Sequence, residues 1–151
     1  FVLRRTCEEA GLFLATTGCV LNLGCGQGFD VSALLFVFPV AQIHAVDYYN
    51  LLPPSLLSNN RVRFHRGLIT QVLASKTIPV VDLILCKFMD KNHGFTDANI
   101  HLLRQAMAEN GKLITCGDNG AMESAEWFRN SFEPVLELHE MDISVWGPRV
   151  N

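Results

Sequence analysis

Gly24, Gly26 and Gly28 stand at alternate positions between the apolar run Val20-Leu21-Asn22-Leu23 and a second apolar stretch that opens at Phe29. Glycines so spaced let a turn adopt left-handed dihedrals, and let a ligand reach the main chain without meeting a Cβ. A helix beginning at Phe29 would add exposed N–H groups at its first turn. Asp47 follows Gly28 by 19 positions and ends the run Ile43-His44-Ala45-Val46. A carboxylate there is placed to accept hydrogen bonds from ribose hydroxyls. Strand, glycine turn, helix and an acid at the next strand's tip form a constellation for a nucleoside ligand. The dinucleotide fingerprint G-x-G-x-x-G is not met, because Phe29 stands where it requires its last glycine. That disfavours a nicotinamide or flavin dinucleotide, and with it an NAD-dependent oxidoreductase.

These residues need a scaffold, and the rest of the chain predicts one. Helices are expected over Arg4–Thr16, Phe29–Phe38, Pro53–Leu57, Leu68–Ala74, Thr96–Glu109 and Met122–Phe132. Strands are expected over Val20–Leu23, Ile43–Val46, Arg61–His65, Val80–Cys86 and Lys112–Cys116, with a closing antiparallel pair over Val135–Met141 and Ile143–Val150. Val80–Cys86 is apolar except at Asp82, the pattern of a strand buried on both faces. Alternating strands and helices predict an α/β three-layer sandwich: a doubly wound, mostly parallel seven-stranded sheet with an antiparallel C-terminal strand pair. Ligands of such sheets sit at the carboxyl ends of the strands, where the strand order reverses.

Composition sets the outer limits. The 151 residues, 49% hydrophobic and 18% charged, fit one domain over 1–151 with a sizeable core and exclude disorder as the main state. Phe1 in place of an initiator Met points to a chain trimmed at its N-terminus. The longest apolar stretch, Ala33–Ala41, contains Pro39 and is too short to cross a membrane. The net charge of −3 argues against bulk nucleic-acid binding. The basic cluster Arg61, Arg63, His65 and Arg66 reads as a solvated strand edge. Five cysteines without a C-x-x-C pair suit buried free thiols and a cytoplasmic location. The five histidines show no metal-ligand spacing, so no metal is expected.

Val20-Leu21-Asn22-Leu23-Gly24-Cys25-Gly26-Gln27-Gly28 resembles the first motif of class I S-adenosylmethionine (SAM)-dependent methyltransferases. Phe38–Asp47 resembles that family's following segment, Val81-Asp82-Leu83-Ile84-Leu85 its fourth strand, and Leu103–Thr115 its next helix and fifth strand. The resemblance implies SAM as cofactor. Gly24, Cys25 and Gly26 would line its methionine part, Gly28 would complete the cofactor turn, and Asp47 would hold the ribose, with Tyr48 beside the adenine. Cys86 and Lys87 would border the methyl group. Two positions depart from the family pattern: Asn22 replaces an acid, and Leu68 falls where an acid usually faces the adenine amino group.

The acceptor implied is a small molecule or a protein, and a base is useful if it presents a hydroxyl or a protonated amine. Asp90, His93 and Lys87, at and beyond the fourth strand's end, are the catalytic candidates. Cys86 lacks the preceding proline of DNA cytosine C5 enzymes and reads as a buried thiol. The rival expectation is a methyltransferase-like module without catalysis, serving as a binding or partner subunit. The chain is nearly used up by a cofactor core, so either the short loops Met89–Phe95 and Asp118–Met122 bind the acceptor, or sequence before Phe1, a partner subunit or a homodimer supplies the rest.

Overall fold

The computed structural model describes residues 2–87, 95–117 and 120–150. Seven strands form one sheet: β1 (Cys19–Leu23), β2 (Gln42–Asp47), β3 (Val62–Arg66), β4 (Val81–Lys87), β5 (Met107–Cys116), β6 (Phe132–Leu138) and β7 (Ile143–Pro148). Their spatial order is β3-β2-β1-β4-β5-β7-β6. β3, β2, β1, β4 and β5 pair in parallel, and β7 runs antiparallel to both β5 and β6. The order reverses between β1 and β4, which is where the glycine turn lies. The predicted α/β sheet with its antiparallel C-terminal pair is the one observed.

The helices are α1 (Val2–Glu9), α2 (Phe29–Val37), α3 (Pro54–Leu57), α4 (Ile69–Ala74), α5 (Ile100–Ala106), α6 (Gly120–Glu123) and α7 (Glu126–Ser131). They cover both faces. One apolar layer joins Val20, Ile43, Ala45, Leu83 and Leu85 to Cys7 of α1 and to Val31, Leu34 and Val37 of α2. The other joins Leu21, Leu23, Val46, Ile84 and Leu113 to Val72 of α4, Leu103 of α5, Phe128 of α7 and Trp146 of β7. Alternate residues of β1 and β4 enter alternate layers, as a strand buried on both faces requires.

Four boundaries differ from the sequence expectation. α1 stops at Glu9, and residues 10–17 turn back through bonds such as Leu12 N–H to the Cys7 carbonyl (2.9 Å). The helix expected over Thr96–Glu109 is only Ile100–Ala106, and its last predicted turn belongs to β5. Val81 pairs with Met107 and Leu83 with Lys112, so residues 108–111 bulge out of the ladder. A Cβ at Gly111 would stand 2.4 Å from Met107 Cγ and 3.0 Å from the Ala108 carbonyl, so a larger residue there would force the bulge to shift. The helix expected over Met122–Phe132 is two short ones, with Phe132 already in β6. His139–Met141 form a 3₁₀ turn instead of extending β6.

Four polar side chains brace the scaffold. Asp82 Oδ2 accepts the N–H groups of Gly18 (2.9 Å) and Cys19 (3.1 Å), fixing where β1 begins. Arg61 is not a solvated edge residue. Its guanidinium turns inward and donates to the carbonyls of Phe38 (2.8 Å), Leu35 (3.1 Å) and Ala41 (3.4 Å). These include orphan acceptors at the C-terminal end of α2, where a cation is favoured. His44 of β2 and His65 of β3 stack and share a hydrogen bond of 2.9 Å between Nδ1 and Nε2. Burial, with help from His65 and Arg63, lowers the His44 pKa from 6.5 to about 4.

Two outcomes follow for stability. Asp82→Ala leaves two main-chain donors without their acceptor and should cost about 1–2 kcal/mol in chemical denaturation. An unchanged midpoint would refute that role. His44 stays neutral in the folded chain while the unfolded chain takes up a proton below pH 6.5. Its contribution is therefore present above pH 6.5 and is lost as pH falls toward 4. The stability difference between the protein and His44→Leu should change across that window and be flat above it.

Candidate functional site

The site forms where β1 ends. Gly24 N–H (2.9 Å) and Cys25 N–H (3.2 Å) both donate to the Val46 carbonyl of β2, and Gly28 N–H closes the turn on the Cys25 carbonyl (2.9 Å). Gly26 and Gly28 have φ of +50° and +89°, which L side chains rarely adopt. They differ in what surrounds them. A Cβ at Gly28 would lie 2.5 Å from Leu56 Cδ1 and 2.8 Å from Leu52 Cδ2, so Gly28 lets α3 pack onto the start of α2. A Cβ at Gly26 would meet nothing within 4 Å, so its main chain is open to a ligand. Close packing is thus met at position 28, and Phe29, where the dinucleotide fingerprint has glycine, points outward and is 80% exposed.

Asp47 is joined to this turn. Its Oδ2 accepts the Gly26 N–H at 2.9 Å, and its Oδ1 accepts the Tyr49 N–H at 3.1 Å. Each oxygen is oriented by a main-chain donor and keeps acceptor capacity. Tyr48 and Tyr49 stand exposed beside it with rings edge to face, centroids 5.0 Å apart. The Tyr48 carbonyl accepts from Arg66 Nε at 3.3 Å. On the opposite side of the turn, Lys87 Nζ lies 3.4 Å from Asp30 Oδ1 in the first turn of α2. Asp30 went unnoticed in the sequence, although an acid in a helix's first turn is a signal that could have drawn attention.

The remaining predicted residues divide clearly. Asn22 of β1 is fully buried, and among the described residues neither its Oδ1 nor its Nδ2 has a hydrogen-bond partner. Leu68 precedes α4 and is partly exposed. Cys86 is wholly buried in the layer containing α5 and α7, opposite Leu23, whereas Asn22 pairs with Leu85 and has the opposite parity. Burial holds every thiol protonated: Cys25 and Cys7 are pushed up to about 12, Cys19 and Cys116 to about 11, and Cys86 further still. Asp90 and His93 lie outside the described residues. Among the described residues no cluster of three His, Cys, Asp or Glu could hold a metal, and no helix is long and apolar enough to cross a membrane.

No protein-family model matches this chain, and no curated protein matches its sequence. Solved structures do match. The fibrillarin/Nop5p complex contains a chain that superposes with a TM-score of 0.71 at 17% identity, over 97% of this chain and 79% of that one. Human methyltransferase-like protein 13, solved with S-adenosylhomocysteine (SAH), gives 0.64 at 16% identity, over 99% and 82%. The MycE methyltransferase of the mycinamycin pathway, solved with Mg and SAH, gives 0.63 at 13% identity over 88% of this chain. This chain spans 42% of MycE's length. With its strand order, antiparallel last strand and glycine turn at the switch point, the chain has the fold of the class I SAM-dependent methyltransferases.

Proposed function

We propose that this protein binds SAM and transfers its methyl group to a small-molecule or protein acceptor. The observation that carries this reading is the Asp47 carboxylate, held by the Gly26 N–H at the edge of an open glycine turn. The residues fit the cofactor in three respects. Gly26 leaves space above its main chain, Asp47 keeps acceptor capacity for ribose hydroxyls, and the buried Asn22 amide lacks partners that a polar ligand or its water could supply. Gly24, Cys25 and Gly28 would shape the methionine end through the main chain, with Tyr48 beside the adenine and the Lys87 main chain closing the side next to Gly24, whose Cβ position is 3.8 Å from the Lys87 carbonyl.

When bound, the cofactor supplies a methyl group already activated by its sulfonium. The chain's own task is then to hold an acceptor in line with it, an effect of proximity and orientation. Lys87, at the carboxyl end of β4 and paired with Asp30, would border the acceptor. Asp90 and His93 are proposed as the bases for a hydroxyl or ammonium acceptor.

A second reading, a module that binds but does not catalyse and works with a partner subunit, is favoured by two observations. Asn22 brings no charge to a cationic cofactor, and Leu68 offers no side-chain acceptor near the adenine. Methylation of a defined acceptor by the purified chain alone would exclude this second reading.

Calorimetry with SAM and with SAH tests the primary reading: saturable binding of either is expected, and no binding of either at millimolar concentration would refute it. Asp47→Ala should weaken that binding at least about tenfold, the loss expected for hydrogen bonds to a charged group. Asn22→Leu removes an unpaired buried amide, so without ligand it should raise the melting temperature by about 2–4 °C. The same change should weaken cofactor binding. A lower melting temperature would show that the amide is satisfied in solution.

A further inference from the structure

Two carboxylates flank the glycine turn on one face of the sheet. Ala45 of β2 and Leu85 of β4 belong to the apolar layer beneath α1 and α2. Strand side chains alternate between faces, so Asp47, two residues beyond Ala45, and Lys87, two beyond Leu85, are directed to that same side. Asn22 pairs with Leu85 and shares its face. Asp30, in the first turn of α2, meets Lys87 Nζ there at 3.4 Å. The turn therefore runs between Asp47 at the end of β2 and the Asp30–Lys87 pair. Both acids are felt at Cys25 in the turn. After burial, the main cause, the carboxylates of Asp47 and Asp30 help to raise its thiol pKa.

The chain uses the two acids differently. Each Asp47 oxygen accepts a main-chain N–H, from Gly26 and from Tyr49. Asp30 Oδ1 meets Lys87, at a distance longer than the about 2.7–2.9 Å of a close charged bond. Asp30 Oδ2 makes no hydrogen bond among the described residues. A carboxylate has about four acceptor positions, so Asp30 keeps most of its capacity. Its side chain is 25% exposed and that of Lys87 is 37% exposed. A charge so placed is open to a ligand, yet less screened than one on the open surface. The cofactor proposed above carries two cationic groups, a sulfonium and an α-ammonium, and the Asn22 amide answers neither with a charge. An ammonium brings three N–H donors and matches a carboxylate with open lone pairs, whereas a sulfonium brings none.

We propose that Asp30, oriented by Lys87, binds the α-ammonium at the amino-acid end of the cofactor and supplies the negative charge that Asn22 does not. The inference rests on the cofactor reading above and assigns it a residue. With Asp47 on the ribose hydroxyls, the turn has a carboxylate at each end, and the pair fixes the direction in which the cofactor lies along it. An acid in a helix's first turn also complements the helix dipole. That role alone would need neither the partial burial of Asp30 nor its position beside the turn.

The test is a cycle of two ligands and two proteins, read by calorimetry with no methyl acceptor present. The ligands are SAH and its deaminated analogue, which lacks only the α-amino group. The proteins are the unaltered chain and Asp30→Asn, which keeps the side chain's shape and removes its charge. The unaltered chain should bind SAH at least about tenfold more tightly than the analogue, the effect of a charged hydrogen bond. Asp30→Asn should bind the two alike, and should bind the analogue no less tightly than the unaltered chain does, which checks that the turn is intact. SAM should lose as much affinity as SAH, because both carry the ammonium. Asp47→Ala is the control, and should weaken SAH and the analogue by the same factor. If Asp30→Asn weakens SAH and the analogue equally, or weakens SAM alone, the proposal is overturned and the cofactor reading stands. If the unaltered chain binds neither SAH nor SAM at millimolar concentration, both fall.

Discussion

Three consecutive main-chain donors, the N–H groups of Gly24, Cys25 and Gly26, are held by the last two residues of β2: the first two by the Val46 carbonyl and the third by the Asp47 carboxylate. Everything at the site depends on this short row. It fixes the turn between β1 and α2 without any side chain of its own. It also orients the carboxylate that is the site's principal polar group. Because the acceptors belong to a neighbouring parallel strand, the row forms only when β1 and β2 pair in their observed register, Leu23 opposite Val46. A one-residue slip would exchange the two apolar layers and misplace Asp47 together.

The surrounding structure protects that register. Asp82 fixes the start of β1 through Gly18 and Cys19, and Arg61 holds the end of α2 to the start of β3. Both side chains bridge segments far apart in sequence and satisfy donors or acceptors that element ends leave open. Gly28 completes the arrangement from above, since its missing side chain is the space that Leu52 and Leu56 occupy. Among the described residues the buried Asn22 amide has no hydrogen-bond partner. A buried amide without a partner at the end of β1 is a group that the proposed polar ligand would satisfy.

Most of the fold was legible in the sequence because its signals are local. Short apolar runs separated by helical patterns gave the parallel strands, and Asp47 and the glycines could be placed at strand ends by counting. The misses share a cause. Residues 107–109 look helical by propensity, but strand pairing with Val81 and Leu83 claims Met107 and Lys112 and expels the residues between them as a bulge. Arg61 looks like an exposed edge cation in a period-two pattern, yet the carbonyls at the end of α2 draw it inward. Neither neighbour is near in sequence.

What the sequence by itself determined, then, is the sheet's α/β character, the glycine turn and the acid opposite it, because these rest on periodicity and on the special dihedrals of glycine. Tertiary structure alone decided which polar atoms are spent and which remain: Arg61 and Asp82 are consumed in holding the scaffold, and Cys86 is sealed in the core. It alone paired Asp30 with Lys87 and His44 with His65. Hydrogen-bond satisfaction is a property of neighbours in space, and for this chain those neighbours come from different strands and helices.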